Sequence, residues 1–429
     1  GTSLNKEIGS FTGSSILKAH TYDVVSYNLE FFGTDAKDAT GKEFGPTNDA
    51  LEIENVAKVM NKLNADVYVV QEVSDEPALD PLIQKISVNG KTFDKTISTS
   101  WSYSFEPLDP YFPPQKLVVI YNTQTTTVKS TKVLFKDLYD QVRANTVVLP
   151  GYPGTDTPQK NDDSFFSSGR LPYLVQVEAN VGGIKKEINL IDLHARANSG
   201  TDISKYNQRK YDIDYLKDAL DAEYPDSNLI LLGDFNDDVE AWVGNVNTPS
   251  SYQKFVDDTA NYNALTLEIS KAGAYSFLSS QGFLDHILIS NELNDDYIEE
   301  SIAVYDPRND IANYTTTTSD HGPVIARFEL KQDVLSTPDF GKNKYFVKAY
   351  PNPAADVLNF DIKTATQGRD LKISLYDFNG RAIGNPISVK NESEVSTAVV
   401  AVGNLVSGVY FYTVTENNKV IFKDKVIKK

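Results

Sequence analysis

The 429-residue chain has no cysteine and a single methionine. Without cysteine there are no disulfides, thiolate nucleophiles or thiolate metal sites, so any metal must sit on oxygen and imidazole ligands. Hard cations such as Mg²⁺, Mn²⁺ or Ca²⁺ suit that inventory. Histidine is scarce as well, with four in the chain. No uninterrupted apolar run approaches the roughly 18 to 20 residues that cross a bilayer, so no transmembrane segment is expected. The start, Gly1-Thr2-Ser3-Leu4-Asn5, lacks the charged and apolar regions of a signal peptide.

Positive charge is short, and unevenly so. Residues 345–429 carry 11 Lys/Arg against 8 Asp/Glu, leaving 30 against 51 for residues 1–344, a net of +3 and −21. A region at −21 repels polyanions at long range, which counts against tight tracking along DNA, although bound metal ions reverse the sign locally.

What is abundant is tyrosine (24) and phenylalanine (21) in a chain that is 40% hydrophobic, a bias that suits β-rich cores. A polar leader, residues 1–21, gives way to the strand-like run Tyr22-Asp23-Val24-Val25-Ser26-Tyr27. Ile53, Val56, Ala57, Met60 and Leu63 recur at helical spacing before the apolar run Val67-Tyr68-Val69-Val70. The same order returns where Ile213, Leu216 and Leu220 precede Leu229-Ile230-Leu231-Leu232. Short strands are expected at 117–121, 174–181, 188–193 and 324–330, and a long polar surface loop at 238–262. Strands mixed with a few helices predict a sheet-on-sheet core covered by helices on its outer faces over residues 22–331. Residues 332–344 read as a linker. Beyond it, short strand-like runs with turns such as Asn379-Gly380 and Ser407-Gly408 predict a small β-sandwich over 345–429.

Chemistry-bearing side chains fall repeatedly at the carboxyl ends of expected strands: Asn28 and Glu30, Glu72, His194, Asp234 and Asn236, Asp285, and the pair Asp320-His321. Singly, each is an ordinary turn or helix cap. Together they supply what hydrolysis of a phosphate ester needs: carboxylates for a cation, neutral donors for phosphoryl oxygens, and an imidazole for a proton. His20 lies in the leader, and alternation turns His286 away from Asp285, so both are read as structural.

The ordered series Ser26-Tyr27-Asn28-Leu29-Glu30, Val70-Gln71-Glu72-Val73, Asp192-Leu193-His194, Gly233-Asp234-Phe235-Asn236, Leu284-Asp285-His286-Ile287 and Ser319-Asp320-His321 resembles the endonuclease/exonuclease/phosphatase superfamily. The resemblance implies a four-layer α/β/β/α sandwich with a Mg²⁺-type site at one end of its two sheets. It implies that Glu72 is the main metal ligand, with Asn28, Glu30 and Asp320 close by. Asp234 and Asn236 would bind phosphate, position the attacking water or hold a second metal, and Asn28 would also touch substrate. His321, oriented by Asp285, would act on the water, with Asp234 as the alternative base. His194 would stabilise phosphoryl oxygens or protonate the leaving group. Arg170, in Gly169-Arg170-Leu171-Pro172, resembles a phosphate-contacting segment, the plainer reading being a surface residue before a strand.

Tyr350-Pro351-Asn352-Pro353, Leu375–Arg381, Leu405–Tyr410 and the basic end Lys425–Lys429 resemble the C-terminal sorting domain of proteins exported by the type IX secretion machinery. That implies a secreted or surface-attached protein whose partner in export is that machinery. The expected activity is a secreted metal-dependent phosphodiesterase, a nuclease first, with nucleic acid as a transient partner. The alternatives are a sphingomyelinase-like or inositol-phosphate enzyme, or a binding module with an inactive site. The acidic domain shows no Lys/Arg stripe with interleaved aromatics, and Tyr111-Phe112-Pro113-Pro114 is a candidate exposed aromatic turn.

Overall fold

Period-2 alternation sets the two faces of each strand, and in the central strands both faces are buried, because each sheet is covered on both sides. The computed structural model describes residues 16–331 except 110, 154–161 and 300, and residues 345–429 except 365–367, 369, 378–379, 391–394 and 418. Most of the expected leader, the whole linker and Asn379 lie outside the described residues. The chain divides into two units, Gly1–Gln332 and Asp333–Lys429.

Among the described residues the first unit has twelve strands: β1 (Tyr22–Phe32), β2 (Val67–Val73), β3 (Phe93–Ile97), β4 (Lys116–Asn122), β5 (Thr126–Val133), β6 (Tyr173–Val181), β7 (Ile184–His194), β8 (Leu229–Asp234), β9 (Tyr262–Ala264), β10 (Asp285–Ser290), β11 (Ala303–Val304) and β12 (Val324–Phe328). They form two six-stranded sheets, ordered β11-β12-β1-β2-β4-β3 and β5-β6-β7-β8-β10-β9. Each sheet is built around one parallel pair, β1 with β2 and β7 with β8, flanked by antiparallel neighbours. The sheets therefore match position for position, β1 with β8 and β2 with β7.

Val67 and Val69 point into the inter-sheet core with Val24, Ile188, Leu190, Ile230 and Leu232. Tyr68 and Val70 point the other way, against the helix Asp49–Leu63. Likewise Leu229 and Leu231 pack outward on Ile213, Leu216 and Leu220 of the helix Ile203–Glu223. Three apolar layers between four layers of structure give the α/β/β/α sandwich. Asn48 caps the first helix by accepting from Leu51 N, and Asp202 caps the second by accepting from Ser204 N.

Residues 238–262 differ from the surface loop expected. Val239, Trp242, Tyr252 and Phe255 are buried, and Gln253–Val256 forms a helical turn. The reason is an internal anchor. Asp237 and Arg209, both fully buried, pair at 3.1 Å, and Ser251 Oγ donates to Asp237 Oδ2 at 2.6 Å. A paired and hydrogen-bonded ion pair ties a polar segment inward.

The second unit contains β13 (Tyr345–Tyr350), β14 (Val357–Thr364), β15 (Leu371–Tyr376), β16 (Ala382–Val389), β17 (Val395–Ala401), β18 (Gly408–Glu416) and β19 (Lys419–Lys428). Sheets β13-β14-β17 and β16-β15-β18-β19 enclose a core of Leu358, Phe360, Ile362, Ile373, Tyr412 and Val414. Among the described residues no helix is long and apolar enough to cross a membrane.

Candidate active site

At one end of the inter-sheet core the inward-facing positions stop being apolar. Asn28 follows Val24 and Ser26 on β1, Gln71 follows Val67 and Val69 on β2, and Asp192 and His194 follow Ile188 and Leu190 on β7. Asp234 follows Ile230 and Leu232 on β8, and Asp285 precedes Ile287 and Ile289 on β10. The sheets meet there through polar groups: Gln71 Nε2 donates to Asp192 Oδ1 at 2.8 Å, and Asn28 Nδ2 donates to Asp234 Oδ2 at 3.0 Å. His286 faces outward, held by Thr266 and the Phe283 carbonyl, and His20 is exposed, so neither joins the site.

Simple alternation would turn Glu72 away from this end. The backbone redirects it: Glu30, Phe31 and Glu72 all have left-handed φ (49°, 57° and 61°), and the register of β2 slips against both neighbours here. Non-glycine residues in that region cost about 1–2 kcal/mol each, and such bulges re-aim side chains. Glu72 thereby accepts from Asn28 Nδ2 at 3.0 Å and from Phe31 N at 3.2 Å. Glu30 accepts from Asp320 N at 2.8 Å, which brings Asp320 to the same corner. Asn236, also left-handed (φ 51°), donates to Asp234 Oδ2 and to the Ala195 carbonyl.

His321 Nδ1 donates to Asp285 Oδ2 at 2.6 Å, and Ser276 Oγ donates to the same oxygen at 2.6 Å. Ser319 Oγ accepts from His321 N and donates to the Asn28 carbonyl, while Tyr314 OH donates to the His321 carbonyl at 2.8 Å. The imidazole is thus fixed at ring and backbone, and Nε2 lies 3.8 Å from Asp320 Oδ1 at the cleft. Burial opposes charge on His321, but Asp285, Asp234 and Asp320 outweigh it and hold the group well above its usual range. His194 moves the opposite way, held well below by burial and by the charges of Arg170 and His321.

Arg170 is buried, so it is not the surface residue of the plainer reading. It donates to Gln115 Oε1 at 2.8 Å, to Ser167 Oγ and to the Ala195 carbonyl at 3.1 Å, and its Nη1 lies 2.9 and 3.0 Å from the ring nitrogens of His194. Burial pushes its pKa down to about 10, leaving it charged at neutral pH. Gln115 and Asn198, which donates to the Asn236 carbonyl at 2.5 Å, were not singled out from sequence. Neither falls at the carboxyl end of a strand, so no periodicity or motif marked them.

The donor set fits a divalent cation. Burial, with Asp320 and Glu72 adding to it, pushes Glu30 up to about 8, and burial pushes Asp234 up to about 7 against the pull of His321. Glu72 and Asp320 are raised as well, again chiefly by burial. Four largely buried carboxylates in one corner are what a cation offsets. Glu72, His194 and Asp234 offer ligand atoms within 4.8 Å of one another, whereas the sequence grouped Glu72 with Asn28, Glu30 and Asp320. These residues floor a cleft of about 1540 Å³.

No curated protein matches the chain. Among solved structures, an endonuclease/exonuclease/phosphatase from Beutenbergia cavernae is 14% identical over 95% of this chain and 100% of that one, with a TM-score of 0.47. The human nocturnin catalytic domain is 16% identical over 73% and 94%, with a TM-score of 0.44. An endonuclease/exonuclease/phosphatase from Bacteroides vulgatus is 11% identical over 72% and 99%, with a TM-score of 0.43. Residues 348–429 match the secretion system C-terminal sorting domain, which indicates export by the type IX route to the cell surface or beyond. With residues 25–321 matching its model, the chain belongs to the Endonuclease/Exonuclease/phosphatase family, whose enzymes are generally divalent-metal dependent.

Proposed function

We propose that this exported phosphoesterase is a divalent-metal-dependent phosphodiesterase, and that the observation carrying this reading is the His321–Asp285 pair set beside four crowded carboxylates. Glu72 would hold Mg²⁺, or Mn²⁺ or Ca²⁺, with Asn28, Glu30 and Asp320 on one flank. When bound, the ion supplies positive charge to a phosphoryl oxygen and to the leaving alkoxide.

The chain's own residues do the rest. Asp234, its pKa pushed up to about 7, takes a proton from the attacking water, while His321, held charged by Asp285 through Nδ1, donates from Nε2 to a phosphoryl oxygen. Water oxygen bonds to phosphorus, one ester P–O bond breaks, and the departing alkoxide takes a proton from solvent water. Asn236 and Asn28 orient the ester, and Asp234 holds Asn28 and Asn236 in place. Arg170 meets the phosphate charge. His194, held neutral by its depressed pKa, acts as an N–H donor to a phosphoryl oxygen rather than as the acid.

A nuclease, the first expectation from the sequence, becomes the second reading, favoured by the aromatic residues Trp101 and Tyr103 that line the cleft. Against it, the lining carries eight carboxylates, Arg170 and Arg196, and no lysine among the described residues. The test is turnover of bis(p-nitrophenyl) phosphate with Mg²⁺, with chelator, and in His321→Ala. We expect chelator to silence the protein, and the variant to lose about 10²- to 10⁴-fold while still folding, as its circular dichroism spectrum would show. Turnover that survives both would sink the proposal, and silence on every phosphodiester would favour the inactive binding module.

A further inference from the structure

Beside the cleft three consecutive residues, none of them glycine, have left-handed backbone: Phe166 (φ 41°, ψ 58°), Ser167 (φ 53°, ψ 43°) and Ser168 (φ 64°, ψ 41°). An L residue in that region crowds its Cβ against the following carbonyl oxygen, so local preference does not produce such a run. The surrounding fold imposes it. Ser102 Oγ donates to the Ser167 carbonyl at 3.1 Å, Tyr103 N to the Ser168 carbonyl at 2.8 Å, and Ser100 Oγ to the Gly169 carbonyl at 2.5 Å. Phe166 is buried and stacks on Phe135 with 5.4 Å between ring centroids. Strain held this firmly next to a cleft is a sign that the turn presents something.

What it presents is a hydroxyl. Ser167 is half-buried and lines the cleft with Arg170, and its Oγ accepts from Arg170 Nη2 at 3.1 Å. A guanidinium has donors only, so the serine hydrogen cannot return to it, and among the described residues no acceptor takes that hydrogen. A hydroxyl that accepts from a cation is also polarised into a better donor. Arg170 and Ser167 therefore offer the cleft hydrogens alone, a pairing that takes an anion and refuses a cation. Gln115 Oε1 and the Ala195 carbonyl hold Arg170 without the serine, which is thus not needed to place it. We infer that Ser167 belongs to the phosphate subsite, its hydroxyl donating to a non-bridging phosphoryl oxygen beside Arg170, and that the left-handed run serves to hold it there; this rests on the phosphodiesterase reading above.

The experiment compares Ser167→Ala and Ser167→Gly with the natural full-length protein. Both variants lack the hydroxyl, but only alanine keeps the left-handed strain. Three quantities are read: melting temperature, turnover of bis(p-nitrophenyl) phosphate with Mg²⁺, and affinity for inorganic phosphate by calorimetry. We expect Ser167→Gly to melt above Ser167→Ala, and both to lose about 10- to 100-fold in turnover and in phosphate affinity. Turnover that follows the melting temperatures, with the glycine variant near the natural rate, would reduce Ser167 to a structural residue and overturn the inference, as would unchanged turnover and phosphate affinity in both. Arg170→Lys separates contact from positioning. Adding Ser167→Ala to it should cost about tenfold again, whereas no further loss would mean that the serine acts only through the arginine, which also overturns the inference. Phosphate affinity that falls in both variants of a protein hydrolysing no phosphodiester sinks the hydrolytic reading and leaves the anion subsite standing; hydrolysis indifferent to Ser167 sinks the subsite alone.

Discussion

Glu52 is a carboxylate without exposure, its Oε2 accepting from Gly33 N at 3.0 Å and its Oε1 without a hydrogen-bond partner among the described residues. Burial, opposed by that hydrogen bond and aided by Asp49 and Glu30, pushes its pKa from 4.5 to about 9. The folded state therefore keeps a proton that the unfolded chain releases above 4.5, so stability falls as pH rises from 4.5 towards 9. Glu52→Gln removes the titration and keeps an acceptor for Gly33. Urea denaturation should show the variant more stable than the natural protein at pH 8 by about 1 kcal/mol or more, with the gap closing near pH 4.5. At this scale the strand-end acids, amides and histidines were visible as an ordered series, and the structure brings them to one corner. Gln71 and Asp192 stood inside quoted motifs without a role. Alternation from Val67 and from Ile188 would have placed both inward, where they join the sheets. Ser276 and Gln115 carried no signal at all, because their partners lie on other elements.

The helices and strands of the first unit were legible because apolar periodicity is strong there, but their ends were not. The left-handed backbone at Glu30, Phe31 and Glu72 contradicts local preference and is maintained by tertiary contacts, which a sequence pattern does not carry. One backbone feature does explain a residue choice. Gly233 on β8 has φ 148°, and a Cβ there would sit 1.9 Å from the Leu193 carbonyl oxygen of β7. Gly233→Ala must separate the parallel pair that bears His194 and Asp234. We expect a loss of about 3 kcal/mol or more in thermal or urea unfolding, with reporter turnover falling in step. A variant with unchanged stability would show that the strands part without cost.

The +3 and −21 charges of the two regions match a division of labour, one part for hydrolysis and one for export. The site is composed from residues 28 to 321 alone, and the core of Gly1–Gln332 is closed by its own layers. A chain ending at Gln332 should therefore fold and turn over the soluble reporter at the full-length rate, while failing to leave the cell. A truncated protein that is folded but inactive would show that residues beyond 332 take part in catalysis. Both architectures were legible in the sequence, through strand spacing and turn residues. The inward packing of residues 238–262 was not, since it depends on a distant arginine, Arg209.

The pairs that make up the site are split between the sheets: Asn28 with Asp234, Gln71 with Asp192, and His321, entering β12, with Asp285 on β10. Neither half carries a working fragment. Under the proposed function turnover is in effect a gauge of assembly: a polypeptide with only one sheet formed should be chemically harmless, and damage along the seam should silence the protein rather than redirect it.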